Sequence, residues 1–515
     1  MKAFGGIEPL QYVSFREFGG INAQTPFQNG QSNLIAGSGL CLDYFPVIKS
    51  RRPISIGTSI TISPSSTAPM SMSSFNNFKC YTYSNKFVGE RSGTPVTATL
   101  SNSNEVSFTT YKGNLGNSYL IFSNGTDLKK FDGTTVSDLL PGGYAVTVNG
   151  YFITTHKNRL FCTSNKTTTI LFSALNKADD WATANDAGSI EIDDVSDKNI
   201  TAIYSAGDRL LIFRENSFYE LIGTGITNFR IVQVSKEIGA LNNRSIVSLN
   251  GIIYFAHSTG LYSYSSGSNP ILVSTPVNNF FQFEYMNSSY NTDIKNYTVV
   301  LTDNKYIYYN PLSYNGLQQL YQYDPIHNQW VGFYEKNIQA GALVNSTFYL
   351  MERVSTTQYR INTVSNRSDE SFSGADRWFV YLPLINGETT MSSINIRSLH
   401  LRTSFSESFD IYVLGQTKGG YQYGFPFFLQ TNYFPMNDTN GIIQYAQKVF
   451  SSSTLADGYT NYPLDRGIKI PIKPNNKYTG VSVIIIGTGQ FTLNEIALEF
   501  MNMPFNNNST VGALV

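Results

Sequence analysis

Leu210-Leu211-Ile212-Phe213, then Asn216-Ser217, then Phe218-Tyr219-Glu220-Leu221, is the stretch that decides the fold. The first run is four apolar residues with no polar position among them. At that length it reads as a strand buried on both faces rather than as a helix, which needs roughly ten residues or more. Asn216-Ser217 falls where a hairpin turn is due, and the returning segment carries aromatic residues of the kind that pack on a pleated surface. A ribbon that is apolar on both faces is not stable alone, so each face must be covered by a neighbour.

Working outward, the same unit recurs. Its clearest cores are Tyr119-Leu120-Ile121-Phe122, Leu160-Phe161-Cys162, Leu210–Phe213, Ile252-Ile253-Tyr254-Phe255, Tyr306-Ile307-Tyr308-Tyr309 and Phe348-Tyr349-Leu350-Met351. Successive starts at 119, 160, 210, 252, 306 and 348 are separated by 41, 50, 42, 54 and 42 residues. That is the period of a propeller blade. Turn residues follow several cores, as in Asn124-Gly125 and Thr259-Gly260, and a second strand such as Leu261-Tyr262-Ser263-Tyr264 comes behind. Asn124-Gly125 is expected to supply the two positive-φ positions of a two-residue hairpin, and Phe131-Asp132-Gly133 a tight turn closing the first unit. Units that cannot bury their own faces must stack radially into a ring. The expectation is an all-β chain with a β-propeller of about six or seven irregular blades over residues 76–370. Six blades are counted directly, and Phe78–Phe108 would supply a seventh.

The flanks differ from this middle. Residues 1–75 are rich in Gly, Pro, Ser and Asn and end in Ser63-Pro64-Ser65-Ser66-Thr67-Ala68-Pro69, which reads as an extended N-terminal arm and linker. Past about residue 370 the repeat stops while strands continue, notably Trp378–Leu382, Leu399–Arg402, Asp410–Leu414, Val481–Ile486 and Phe491–Phe500. The last alternates apolar and polar positions, as a strand with one wet face does. Residues 371–515 are therefore expected to form a β-sandwich-like domain, with a polar tail at Asn506–Thr510.

Composition agrees. The 515 residues include 34 Tyr, 35 Phe and 41 Gly, and 41% hydrophobic content is enough to bury a core. With 36 basic and 36 acidic residues the net charge is zero, which gives no electrostatic footprint for tight nucleic-acid binding. It is compatible with a neutral wall past which nucleic acid slides. The N-terminus lacks the apolar core of a secretory signal, and no apolar run is long enough to span a bilayer. A soluble chain made in the cytoplasm, with no membrane span, is expected.

Reactive groups form no constellation. Cys41, Cys80 and Cys162 are odd in number and contain no CxxC pair, so buried free thiols are expected. His156, His257, His327 and His400 fall in different units without ligand spacing. Asp179-Asp180 and Asp193-Asp194 with Asp197 are the densest carboxylates, but lack the spacing of a calcium loop. Gly223-Thr224-Gly225 lacks the third Gly of a dinucleotide fingerprint and reads as a turn. No nucleophile elbow or phosphate loop is present. No catalytic, metal or cofactor residue is assigned, and no enzyme activity or cofactor is expected.

A longer ordered string carries a resemblance. Phe172-Ser173-Ala174-Leu175, Asp180-Trp181, Gly188-Ser189-Ile190, Leu210–Phe213 and Phe218–Gly223 are followed by Gly251-Ile252-Ile253-Tyr254-Phe255, Gly260–Tyr264 and Pro270-Ile271-Leu272-Val273-Ser274. In that order they resemble the tail-nozzle and packaged-DNA-stabilisation propeller proteins of short-tailed bacteriophages. Leu42-Asp43-Tyr44-Phe45-Pro46 and Ser50-Arg51-Arg52-Pro53 are similar to that family's opening segment, departing from it at Ile54, where a Gly is more usual. The resemblance covers about residues 20–280. Tyr323-Asp324-Pro325 with Trp330 also looks kelch-like.

The nozzle resemblance implies a virion structural protein, assembled in the host cytoplasm as a homohexameric ring of the tail. Such a ring retains DNA and then conducts it through its lumen during ejection. Its implied partners are further copies of itself, the adaptor and portal-proximal proteins, and tail fibres or spikes. Two other readings stand beside it: a propeller module on the virion that binds a host receptor or glycan, with Tyr421–Phe428 as a stacking surface, and a glycoside hydrolase on the same scaffold.

Overall fold

The computed structural model describes residues 10–24, 33–62, 70–140, 148, 150–164, 167–192, 199–280, 297–311, 319–355, 357–366, 377–386, 392–405, 409–416, 442–449, 466–471 and 480–504. Asp193, Asp194, Asp197, the Ser63–Pro69 stretch, Tyr421–Phe428 and the Asn506–Thr510 tail lie outside the described residues. The chain divides into two compact units. One comprises residues 54–326 and 336–366, and the other residues 1–53, 327–335 and 367–515.

The first unit is a β-propeller. Seven antiparallel sheets follow one another along the chain. Blade 1 runs Ser71–Phe75, Phe78–Tyr83, Lys86–Arg91 and Thr94–Thr99; blade 2 runs Ser107–Tyr111, Tyr119–Ser123, Leu128–Phe131 and Val136–Asp138. Blade 3 comprises Gly150–His156, Arg159–Ser164, Thr169–Phe172 and Gly188–Glu191; blade 4 comprises Ala202–Ala206, Arg209–Phe213, Phe218–Ile222 and Arg230–Ser235. Blade 5 holds Ile246–Leu249, Ile252–His257, Gly260–Tyr264 and Ile271–Leu272. Blade 6 holds Val299–Thr302, Ile307–Asn310 and Leu320–Asp324. Blade 7 takes Ile338–Val344, Thr347–Ser355 and Gln358–Val364. The first strands of the blades pack against their neighbours in a ring, and Ile338–Val344 of blade 7 meets Ser71–Phe75 of blade 1 to close it.

Side-chain alternation explains why the repeated cores are unbroken apolar runs. Successive residues of a strand point to opposite faces. Leu210 and Ile212 join Phe161, Phe172 and Ile203 in the core between blades 3 and 4, whereas Leu211 and Phe213 join Phe255 and Tyr264 between blades 4 and 5. Leu120 and Phe122 likewise face blade 1 with Phe87 and Phe131, while Ile121 faces blade 3 with Leu160 and Cys162. Leu210–Phe213 and residues 120–122 are inside at every position because both faces are covered. The second strands of blades 2 to 7 are thus the ones the sequence advertises.

Two turns differ in detail from expectation. Asn124-Gly125 opens a four-residue loop between Ser123 and Leu128 rather than a two-residue hairpin. Asn124 Oδ1 accepts the amides of Thr126 and Asp127 at 3.0 and 2.7 Å, and of the pair only Gly125 has positive φ. The side chain thereby does the turning, as Asn commonly can. In the Asp132-Gly133 turn Gly133 takes φ +102°. Burial alone would raise the Asp132 carboxyl, but the Thr135 and Thr134 amides and both hydroxyls hold it down at about 2.

The boundaries expected at 75/76 and 370/371 are not where the units divide. Ile54–Ser55 and Ser59–Thr61 pair with Gln358–Val364 as the outermost layer of blade 7, so the propeller begins well before residue 76. In the second unit the remaining N-terminal residues form Gln11–Phe15, Ala36–Ser38, Leu40–Cys41 and Ile48–Ser50. These short strands complete two six-stranded sheets whose other strands come from the C-terminal region. Their partners are supplied hundreds of residues away, which local periodicity cannot register. The chain steps from one sheet to the other at Gly39, which has φ +69° and no room for a Cβ; one built there would lie 2.4 Å from the Arg377 carbonyl oxygen. Between the sheets Trp378 stacks on Phe491, with ring centroids 3.8 Å apart.

Alternation along Phe491–Pro504 carries one phase change. Phe491 and Leu493 are buried, as are Ile496, Leu498 and Phe500. The register against Ser392–Phe405 skips Asn494, a bulge that resets the pleat so that both halves face the core.

Candidate functional site

The starts of the seven inner strands converge on the ring axis, and one short segment of blade 5 occupies the centre. Asn243–Ser245 forms a single 3-10 turn capped by Asn242, whose side chain accepts from the Arg244 amide while the Ser245 hydroxyl accepts from the Asn242 amide. Fixing this turn aims three side chains in different directions. Asn242 Nδ2 donates to the Thr298 carbonyl ahead of blade 6 at 2.9 Å. Asn243 accepts from the Ile203 amide of blade 4 at 3.4 Å and donates to the Ser107 hydroxyl of blade 2 at 3.2 Å. Ser107 in turn donates to the Ile153 carbonyl of blade 3.

Arg244 reaches furthest. Its Nε lies 3.1 Å from Glu105 Oε1 at the start of blade 2, and Nη1 donates to the Gln339 carbonyl of blade 7 at 2.7 Å and to the Met70 carbonyl of blade 1 at 3.4 Å. In a ring of seven, blades 5 and 2 are as far apart as two blades can be. A direct contact between them therefore crosses the axis. Both side chains are about nine-tenths buried. Burial pushes the Glu105 carboxyl up, against the pull of Arg244, and burial beside Glu105 pushes the Tyr151 phenol up to about 12.

Chemically this cluster ties blade 5 to blades 2, 6 and 7. It is built on one carboxylate paired with one guanidinium, within a net of backbone carbonyls. A further buried arginine acts in the same way between neighbouring blades. Arg159 of blade 3 donates to the Ser173 and Asp186 carbonyls at 2.9 and 2.7 Å, pairs with the Asp186 carboxylate, and donates from Nε to the Thr224 carbonyl of blade 4 at 3.1 Å. Gly223-Thr224-Gly225 is accordingly a turn, held by Asn228 Oδ1 on the Thr224 and Gly225 amides. Glu220 of blade 4 pairs with Arg209 and accepts the Tyr264 hydroxyl of blade 5 at 2.6 Å.

The residues weighed from sequence are dispersed. His156 sits against Ser205 Oγ at 2.9 Å between blades 3 and 4, and burial with the nearby Lys157 holds it down at about 4. His257 contacts Thr259 Oγ1 at 2.9 Å and is also held at about 4, by burial. In the second unit, His327 packs on Phe45, and His400 lies 2.9 Å from Ser398 Oγ and 3.4 Å from Glu499. Asp179 accepts from Asn114 Nδ2 and Asp180 from Asn185 Nδ2, as loop-fixing groups do. All three cysteines are buried and free, and burial raises the Cys41 and Cys80 thiols to about 12. Among the described residues no group of three or more His, Cys, Asp or Glu could hold a metal ion. No helix among them is long and apolar enough to cross a membrane.

The Leu42–Pro53 segment folds on itself within the second unit. Asp43 pairs with Arg52 at 3.4 Å, Lys49 lies over the Tyr44 ring, and Arg51 lies over Tyr334. Sequence inspection did not find Glu105 and Arg244. They lie 139 positions apart, and only the closed ring brings them together.

The fold thus defines a seven-bladed β-propeller protein with a second, two-sheet β unit. No known family profile and no curated protein matches the sequence. Among solved structures, the chain is similar to a streptogramin B lyase, at 11% identity and a TM-score of 0.41 over 61% of this chain and 98% of that one. It is also similar to the extracellular domain of a one-component system from B. thetaiotaomicron, at 10% identity and a TM-score of 0.39 over 87% of this chain and 62% of that one. A computationally designed protein, Ika8, matches at 7% identity and a TM-score of 0.36 over 58% of this chain and 98% of that one.

Proposed function

We propose that this chain is a structural protein of a short-tailed bacteriophage virion: a tail nozzle or related head-to-tail component. It assembles as a ring, with six copies expected, that retains DNA and then conducts it during ejection. The observation that carries this reading is the ordered motif string from Phe172 to Ser274, together with the use to which its residues are put. Trp181 Nε1 caps the Ala178 carbonyl at 2.9 Å, Glu220 ties blade 4 to blade 5, and Ser274 Oγ accepts the Leu261 amide at 2.8 Å. These are framework roles, suited to a subunit that transmits load rather than turns over a substrate.

The axial Arg244–Glu105 pair sharpens the reading. A duplex has no path along a propeller axis that a buried ion pair crosses, so the conduit is the space enclosed by several copies. Adaptor and portal-proximal proteins above, and fibres or spikes around, are the partners this arrangement calls for.

The test is electron microscopy of the purified protein, alone and with its adaptor, followed by reconstruction of the intact virion. Rings with an open lumen on the tail axis are expected. Monomers under both conditions, with peripheral labelling and glycan-array binding, would replace this reading with that of a receptor-binding module.

A further inference from the structure

The propeller is closed twice, by devices of different strength. The outer closure consists of Ile54–Ser55 and Ser59–Thr61 on the edge of Gln358–Val364, paired at only five positions and interrupted between. At the interruption Gly57 passes so close to the neighbouring strand that a Cβ would lie 2.0 Å from the Ile361 carbonyl oxygen, and its amide is met by Asn362 Oδ1 at 3.2 Å. Ser55, Ile56, Thr58, Ser59 and Thr61 are exposed. The inner closure is the seam between Ile338–Val344 and Ser71–Phe75, with an apolar core of Met70, Tyr81, Val88, Ala340, Met351 and Tyr359 on whose rim Ile62 and the partly buried Ile60 also pack. One nitrogen of Arg244 donates to a carbonyl on each side of that seam, Gln339 and Met70, while the same guanidinium is anchored on Glu105.

We infer that the closing strand is detachable: residues 54–61 can leave the edge of blade 7 while the ring stays shut, because Arg244 pins the inner seam from across the axis. Backbone pairing that is short, exposed and interrupted opens locally at low cost, whereas a seam with an apolar lining and a buried charge-assisted staple opens only with the whole unit.

Hydrogen exchange read by mass spectrometry on the full-length protein, across a series of low urea concentrations, separates the two closures. In the wild type, amides of Gln358–Val364 that face the closing strand exchange in a sub-global opening, and those of Ile338–Val344 and Ser71–Phe75 stay protected until global unfolding. Gly57→Ala weakens the outer closure alone and speeds the first group about tenfold or more, leaving the second unchanged. Arg244→Met makes both groups exchange together, with inner-seam protection falling about a hundredfold. Should that variant fail to fold, Glu105→Gln, which keeps a hydrogen-bond acceptor, gives the same change at smaller size. Joint opening of the two groups in the wild type, or loss of inner-seam protection in Gly57→Ala, overturns the inference.

Discussion

At the scale of single residues, this propeller places polar groups between blades and makes their protonation part of its stability. His156 is held at about 4, well below the ordinary value of 6.5, because burial disfavours its charged form. His257 is held at about 4 for the same reason. The folded chain therefore binds these protons more weakly than the unfolded chain. Stability is complete above pH 6.5 and is lost as pH falls through 4, by about 3 kcal/mol for each imidazole. Urea denaturation between pH 7 and pH 4 should show that slope, and His156→Asn should remove about half of it. A variant that keeps the whole slope would mean that the acid sensitivity lies elsewhere. The interblade arginines were not legible beforehand. Arg159 and Arg244 are unremarkable in sequence, and the carbonyls they meet come from segments brought near only by closure.

At the scale of elements, legibility follows burial. The second strands of blades 2 to 7 pack on both faces, so Leu210–Phe213 and its counterparts appear as apolar runs. The inner strands hold Ser, Thr and Gly where neighbours approach closely at the axis; Thr109 and Thr155, for example, bridge blades 2 and 3 hydroxyl to hydroxyl at 3.0 Å. Strands of that composition look like loops. Ser71–Phe75 therefore falls within the expected arm, and only the later strands of blade 1 stand out in the sequence. Because Leu210 and Leu211 face different interblade cores, Leu210→Ala and Leu211→Ala should each cost about 2–5 kcal/mol in urea denaturation. A loss under about 1 kcal/mol for either would mean that one face is not packed. In the second unit, Gly39→Ala forces a side chain into a left-handed position against the Arg377 carbonyl. It should cost about 1–3 kcal/mol or more by the same measurement, where an exposed turn glycine such as Gly93 would cost less.

At the scale of the whole molecule, equal numbers of acidic and basic residues give the chain no net charge with which to hold DNA, as the proposed conduit requires. Purified protein should bind duplex DNA weakly, and its affinity should change little with ionic strength. A steep fall of affinity with added salt would contradict a neutral wall. The blade 7 arrangement has a consequence for biosynthesis. Its outermost strand, Ile54–Thr61, leaves the ribosome roughly 300 residues before the edge it joins at Gln358–Val364. At about 5–20 residues per second, that is an interval of roughly 15–60 seconds in which early blades exist without a finished circle. During translation this chain passes through an open arc with two unpaired ends. Cells that express this chain while holdase chaperones are limiting should therefore accumulate aggregated product, measured as the insoluble fraction, and a chain lacking residues 54–61 should show no such dependence on the delay.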